Sequence, residues 1–153
     1  MNKKVAILIG SETDRVTMEV ANKYYEFFGI DYEIHVKSAH RNPSHVEDFA
    51  KNARSNGYAT LVGAAGMAAH LAGALKANTT LPVIGVPLAG GILDGMDALL
   101  STVQMPKGVP VATVAVGKAG AINAAILSAE IISLYDNEIS AKLDEFKLIG
   151  AKL

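Results

Sequence analysis

Short aliphatic runs alternate along this chain with longer stretches whose apolar residues recur at helical spacing. Lys4–Ile9 reads as a first strand, and Asp14–Phe28 as a helix stopped by Gly29. Tyr32–Val36 reads as a second strand, and its alternation gives it one less buried face. Pro43 suits the first turn of a helix running to about Ser55, with Gly57 as its stop. Ala59–Val62 and Val83–Val86 make third and fourth strands, separated by a small-residue helix around Ala68–Ala77, and Val111–Val116 makes a fifth. This βαβα order predicts an α/β fold, a three-layer sandwich with a parallel sheet and helices on both faces, flavodoxin-like or Rossmann-like. Residues 1–153 read as a single domain, without repeat, linker or low-complexity tail.

From Ala119 to Leu134 the pattern is apolar or small nearly all round, interrupted only by Asn123, Ser128, Glu130 and Ser133. A helix on a monomer's surface should carry a polar face. Burial against other subunits is the preferred reading. The alternative is a central helix beneath a C-terminal cover, Glu138–Leu148, which does have polar residues.

Half of the 153 residues are hydrophobic and 19% are charged, enough for a proper core and against disorder. A formal net charge of -1 and 6% aromatics, with no Trp, argue against nucleic acid as a partner. The absence of Cys removes disulfides, thiolate metal sites and cysteine nucleophiles together. After Met1-Asn2-Lys3-Lys4 only the apolar run Val5–Ile9 precedes Gly10, too short for a signal-peptide core, so the expected location is cytoplasmic. The longest apolar run, Leu61 to Leu75, is shorter than the roughly 20 residues a membrane span needs and reads as interior. No membrane partner is expected.

The chemistry-bearing residues cluster where strands hand over to helices. In an open parallel sheet that carboxyl edge is where ligands bind. Gly10-Ser11-Glu12-Thr13-Asp14 follows the first strand. Gly10 allows close backbone approach, and the hydroxyls of Ser11 and Thr13 with free helix-start amides can hold phosphate oxygens. Asp14 is suited to ribose hydroxyls. Simple helix capping by Ser11, Thr13 or Asp14 explains the same residues and is, on them alone, the better account. No full Gly-x-Gly-x-x-Gly pattern is present, which disfavours a dinucleotide.

Ser38-Ala39-His40-Arg41-Asn42-Pro43 occupies the second such junction. Arg41 can grip phosphate or carboxylate bidentately, and His40, as an imidazole with an ordinary pKa of about 6.5, can exchange a proton near neutrality. A surface His and a solvated Arg are the plain alternative. His35 and His45 fall on a strand and a helix and take structural or surface roles, so a three-histidine metal site is not expected. Ala65, Gly66 and their small neighbours leave the third strand, letting backbone amides approach a flat ring or allowing tight helix packing. His70, beside Leu71 in apolar company, reads first as a core histidine and second as a supporting group of the site. Ala89–Gly95 is flexible enough for a cover, and Val103–Gly108 fits a linker, a lid or a neighbour-subunit contact.

Together these segments resemble the N5-carboxyaminoimidazole ribonucleotide mutase family. Its hallmarks are Gly-Ser-x-Ser-Asp, Ser-Ala-His-Arg-x-Pro, Ala-Ala-His-Leu and Gln-Met-Pro-x-Gly. Here they stand in the same order as Gly10–Asp14, Ser38–Pro43, Ala68–Leu71 and Gln104–Gly108. Thr13 replaces a usual serine, Met67 a common glycine and Ala72 a common proline.

The resemblance implies a homo-octamer active without metal or organic cofactor. Its substrate would be a ribonucleotide whose carboxylate moves from the exocyclic nitrogen to carbon 4 of the imidazole. It makes His40 the catalyst. Gly10, Ser11, Thr13, Asp14, Ser38, Arg41, Ala65, Gly66, His70 and Leu71 become substrate contacts. Three rivals remain: a carboxylase of the same architecture using carbon dioxide directly, a flavodoxin-like flavin or nucleotide module, and an inactive scaffold. Arg41 and His70 side with the mutase branch.

Overall fold

The computed structural model describes residues 3–153, so the part of the amino-terminal reading that rests on Met1 and Asn2 lies outside the described residues. Lys4–Ile9 forms β1, and Val5 through Ile9 are fully buried, as a strand covered on both faces must be. After it come α1 (Arg15–Met18), α2 (Asn22–Phe28), β2 (Asp31–Val36), α3 (Pro43–Asn52), β3 (Tyr58–Ala65) and α4 (Leu71–Ala77). Then follow β4 (Val83–Pro87), α5 (Met96–Val103), β5 (Ala112–Thr113), α6 (Lys118–Ser133) and α7 (Asn137–Leu148). The strands make one sheet in the order β2-β1-β3-β4-β5, every pair parallel. That is the flavodoxin-like order, with its reversal of direction between β1 and β3.

Alternate residues of β1 feed two cores. Val5, Ile7 and Ile9 pack with Met18, Tyr25 and Phe28 of α1–α2, with the small face of α6 and with Ile139 and Phe146 of α7. Ala6 and Leu8 pack with Val46 and Ala50 of α3 and with Leu71 and Leu75 of α4. α6 is therefore covered within the chain by α7 and the α1–α2 segment. The C-terminal cover, which the sequence allowed as the alternative, is what hides this helix in the described chain.

Other departures have local causes. The helix expected over Asp14–Phe28 tightens into 3-10 turns at Glu12–Asp14 and Glu19–Ala21, while Met18, Glu19 and Ala21 all stay right-handed. It ends at Gly29, whose φ of 67° suits glycine. β3 runs three residues beyond Val62, because small side chains read as loop material are what a helix needs beneath it. A Cβ placed on Gly63 would lie 2.8 Å from Ala72 Cα, so α4 sits directly on the strand.

β5 is short because Pro87 has no N–H to extend the ladder. Beyond Thr113 the chain follows β4 through single bonds, Val114 N–H to Gly85 O (3.0 Å) and Gly117 N–H to Pro87 O (2.8 Å). α5, hidden between the glycine- and proline-bearing loops, has no counterpart in the sequence reading. No helix among the described residues is long and apolar enough to cross a membrane.

β2 is an edge strand with half-buried side chains, as its alternation suggested. There Glu33 gathers Lys4 Nζ at 2.6 Å, the Tyr58 hydroxyl and His35 Nε2 at 3.2 Å. The hydrogen bond from Lys4, then that from Tyr58, lowers the Glu33 carboxyl from 4.5 to about 2. A carboxyl whose folded pKa lies below its unfolded one stabilises the fold above the unfolded value and ceases to as pH falls through the folded one. Glu33→Gln is therefore expected to lower Tm by about 1–4 °C at neutral pH, a loss that shrinks between about pH 4.5 and pH 2. A Tm difference that stays constant over that range would show that the charge is not the source.

Candidate active site

Three hydrogen bonds stitch the carboxyl ends of the strands together: Lys37 N–H to Ile9 O (2.9 Å), Gly10 N–H to Ala64 O (3.3 Å) and Leu88 N–H to Ala65 O (2.9 Å). Four loops leave from this line. After β1, Ser11 caps the Glu12–Asp14 turn. Its Oγ accepts from Thr13 N–H (3.4 Å) and from Thr13 Oγ1 (3.0 Å), while Asp14 Oδ2 accepts from Ser11 N–H (3.0 Å). Capping and lining are thus not alternatives here, since Gly10, Ser11, Thr13 and Asp14 all also face a cavity. Burial raises the Asp14 carboxyl from its ordinary value, opposed by the Ser11 N–H.

After β2 the chain turns sharply, with Asn42 N–H bonded to Ser38 O (2.9 Å) and Arg41 N–H to Ser38 Oγ (3.2 Å). Pro43 then opens α3, which begins there because proline's fixed φ suits a first turn and its missing N–H costs nothing. The turn leaves Ser38, His40 and Arg41 on the cavity wall. After β3, Ala65 and Gly66 line the same wall, and the helix expected from Ala68 starts only at Leu71. There Met67 is left-handed (φ 55°) and His70 N–H bonds Ala68 O (2.9 Å), a tight turn outside helical geometry. A glycine adopts that conformation without strain, whereas a methionine does so at a cost.

His70 is exposed and faces the cavity; it is not a core histidine. Its Nδ1 lies 2.6 Å from His40 Nε2, with the rings nearly perpendicular (83°) and their centroids 4.7 Å apart. Leu71, buried beside it, completes the floor. After β4, Ala89 and Gly90 supply the last wall. The Gly90–Gly95 segment is a defined turn, held by Asp94 Oδ1 accepting from Gly90 N–H (3.2 Å) and Asp97 Oδ2 from Ile92 N–H (3.0 Å).

The cavity so formed holds about 520 Å³, in the range of small-molecule sites. A wider hollow of about 740 Å³ lies at the amino ends of β1 and β2, lined by Lys4, Tyr32 and Glu33 among others. Its Lys4 and Glu33 pair with each other, so it lacks the convergence of hydroxyl, carboxyl, imidazole and guanidinium. Every residue singled out at the strand ends for the site reaches the smaller cavity, whereas Gln104 and Lys107 are exposed and do not. Ser101 was not anticipated. From α5 its Oγ accepts from Ala69 N–H (3.0 Å) and donates to Asp97 O (2.7 Å), pinning the loop that carries His70. A reading of α5 as a helix would have been needed to find it.

The model of the AIR carboxylase family matches residues 4–151. A Bacillus subtilis protein named N5-carboxyaminoimidazole ribonucleotide mutase is 49% identical over 145 residues, covering 95% of this chain and 90% of its own. A Brucella melitensis protein of the same name is 47% identical over 147 residues, covering 96% and 91%. The crystal structure of Treponema denticola PurE is similar with a TM-score of 0.87 at 30% identity, over 97% of this chain and 91% of that one.

Proposed function

We propose that this chain, which belongs to the AIR carboxylase family, is an isomerase that converts 5-(carboxyamino)imidazole ribonucleotide to 4-carboxy-5-aminoimidazole ribonucleotide in purine biosynthesis. The observation that carries the reading is one cavity at the sheet's carboxyl edge joining His40 to Ser11, Asp14 and Arg41. Cationic His40 gives its proton to the exocyclic nitrogen as the nitrogen–carboxylate bond breaks and carbon dioxide leaves. Carbon 4 of the ring attacks the trapped carbon dioxide, forming the new carbon–carbon bond. Neutral His40 then removes the proton from carbon 4, restoring both the aromatic ring and its own charge. One imidazole serves both steps because the first leaves it without the proton that the second returns.

Ser11, Thr13, Ser38 and Arg41 hold the phosphate, and Asp14 takes ribose hydroxyls, which donate to its carboxylate oxygens. Gly10, Ala65, Gly66, His70 and Leu71 wall the ring, and the small side chains keep water from the intermediate. No metal or organic cofactor enters these steps. Residues 1–153 act as one domain, assembled as a cytoplasmic homo-octamer. Exposed Ile92, Leu93, Met96, Leu100 and Val103, an apolar strip at and before α5, support assembly.

The deciding experiment labels the migrating carboxylate with carbon-13 and follows it into the carbon-linked product. Label on carbon 4 with the N-carboxylated substrate supports the mutase. Product formed only from aminoimidazole ribonucleotide and bicarbonate would move the assignment to the direct carboxylase. Arg41→Ala is expected to weaken ribonucleotide binding about 10–100-fold, the worth of a charged hydrogen bond, with a smaller effect on turnover. Unchanged affinity by titration calorimetry would remove Arg41 from the phosphate site.

A further inference from the structure

One long side chain on the cavity wall, Met67, has no part in the carboxylate-transfer steps. Among the described residues lining the cavity, the apolar ones are no longer than alanine apart from Met67 and Leu71. Leu71 lies in the floor at 2% exposure, whereas Met67 stands at the rim at 67%. Its φ of 55° carries a cost that any residue with a Cβ must bear. Such strain persists only where the surrounding structure imposes it. Here both ends of the loop are clamped. On one side Leu88 N–H bonds Ala65 O (2.9 Å), and a Cβ on Gly66 would lie 3.5 Å from Leu88 O. On the other, Ala69 N–H bonds Ser101 Oγ (3.0 Å). The backbone of Met67 is thus fixed while its flexible thioether chain stays out of the core and beside the cavity.

Building on the mutase reading, we propose that Met67 is the apolar cover of the site: its side chain lies over the bound heterocycle, sheds water and retains carbon dioxide between the two bond changes. When the nitrogen–carboxylate bond breaks, the electron pair stays on nitrogen, which takes the His40 proton. The carbon dioxide released has no charge and no donor hydrogen by which Ser11, Asp14 or Arg41 could hold it. Keeping it near carbon 4 requires an apolar barrier at the mouth. Without that barrier the same first step ends in free carbon dioxide and aminoimidazole ribonucleotide.

The test compares Met67→Gly, Met67→Gln and Met67→Leu with the unchanged protein. Carbon-13 in the migrating carboxylate is followed into the carbon-linked product and into free bicarbonate, above the enzyme-free background. Gln has the reach of Met but ends in a hydrated amide, Gly has no side chain, and Leu stays apolar. Gly and Gln are expected to lower kcat/KM about tenfold and to raise the share of label lost to bicarbonate severalfold. Leu is expected to keep both within about threefold. Met67→Gly should also keep or raise Tm, because it removes the left-handed cost, so its loss of function is not damage to the fold. Unchanged kcat/KM and label loss in Met67→Gly and Met67→Gln overturn the proposal. So does a folded Met67→Leu protein that leaks as much label as Met67→Gly, or an activity loss that merely follows a fall in Tm. An unchanged protein that moves no label to carbon 4 takes down the mutase reading, and this proposal with it, so the two failures are told apart.

Discussion

His40→Asn is expected to lower carboxylate-transfer turnover by at least about 10²–10⁴-fold while ribonucleotide still binds. Asn fills much of the imidazole's space and can bond to His70, so the cavity that His40 shares with Ser11 and Arg41 keeps its shape. What is lost is the only property an amide cannot mimic, a proton given and taken near neutral pH. The check pairs single-turnover kinetics with a binding titration. Weak binding together with weak turnover would describe a damaged pocket, and near-normal turnover would end the role assigned to His40.

Gly63→Val carries the largest expected effect on stability. The first added carbon would lie 2.8 Å from Ala72 Cα and 3.0 Å from Ala72 N, both rigid backbone, so α4 has to lift from β3. Overpacking of this kind costs about 1–3 kcal/mol, or roughly 2–12 °C in Tm for a chain of this size. Because His70 stands at the start of α4, turnover should fall with stability. A Gly63→Val protein that melts with the unchanged one would show that the helix does not depend on this contact.

The sheet was legible because parallel strands buried on both faces read as unbroken aliphatic runs, as Val5–Ile9 does. The β2 edge was equally plain from its alternation. Small residues were the difficulty. Gly63, Ala64 and Ala65 belong to a strand but have the composition of a loop, and the late start of α4 follows a left-handed Met67 and an Ala68–His70 turn that no periodicity reveals. His70 was misread in its surroundings because apolar neighbours in sequence were taken for apolar neighbours in space. Leu71 is buried while His70, one residue earlier, is exposed, since successive residues at a helix start point about 100° apart. The strand-end residues were found because topology gathers such positions whatever their identity. Ser101, held to the site only through a backbone amide, left no comparable mark.

The seams between strand ends have a consequence for affinity. Ile9 to Lys37, Ala64 to Gly10 and Ala65 to Leu88 join the roots of all four loops into one block before any nucleotide arrives. An incoming molecule meets walls already in register, so little of its interaction energy is spent on immobilising them. Recognition by this pocket is therefore a matter of fit to a pre-organised mould.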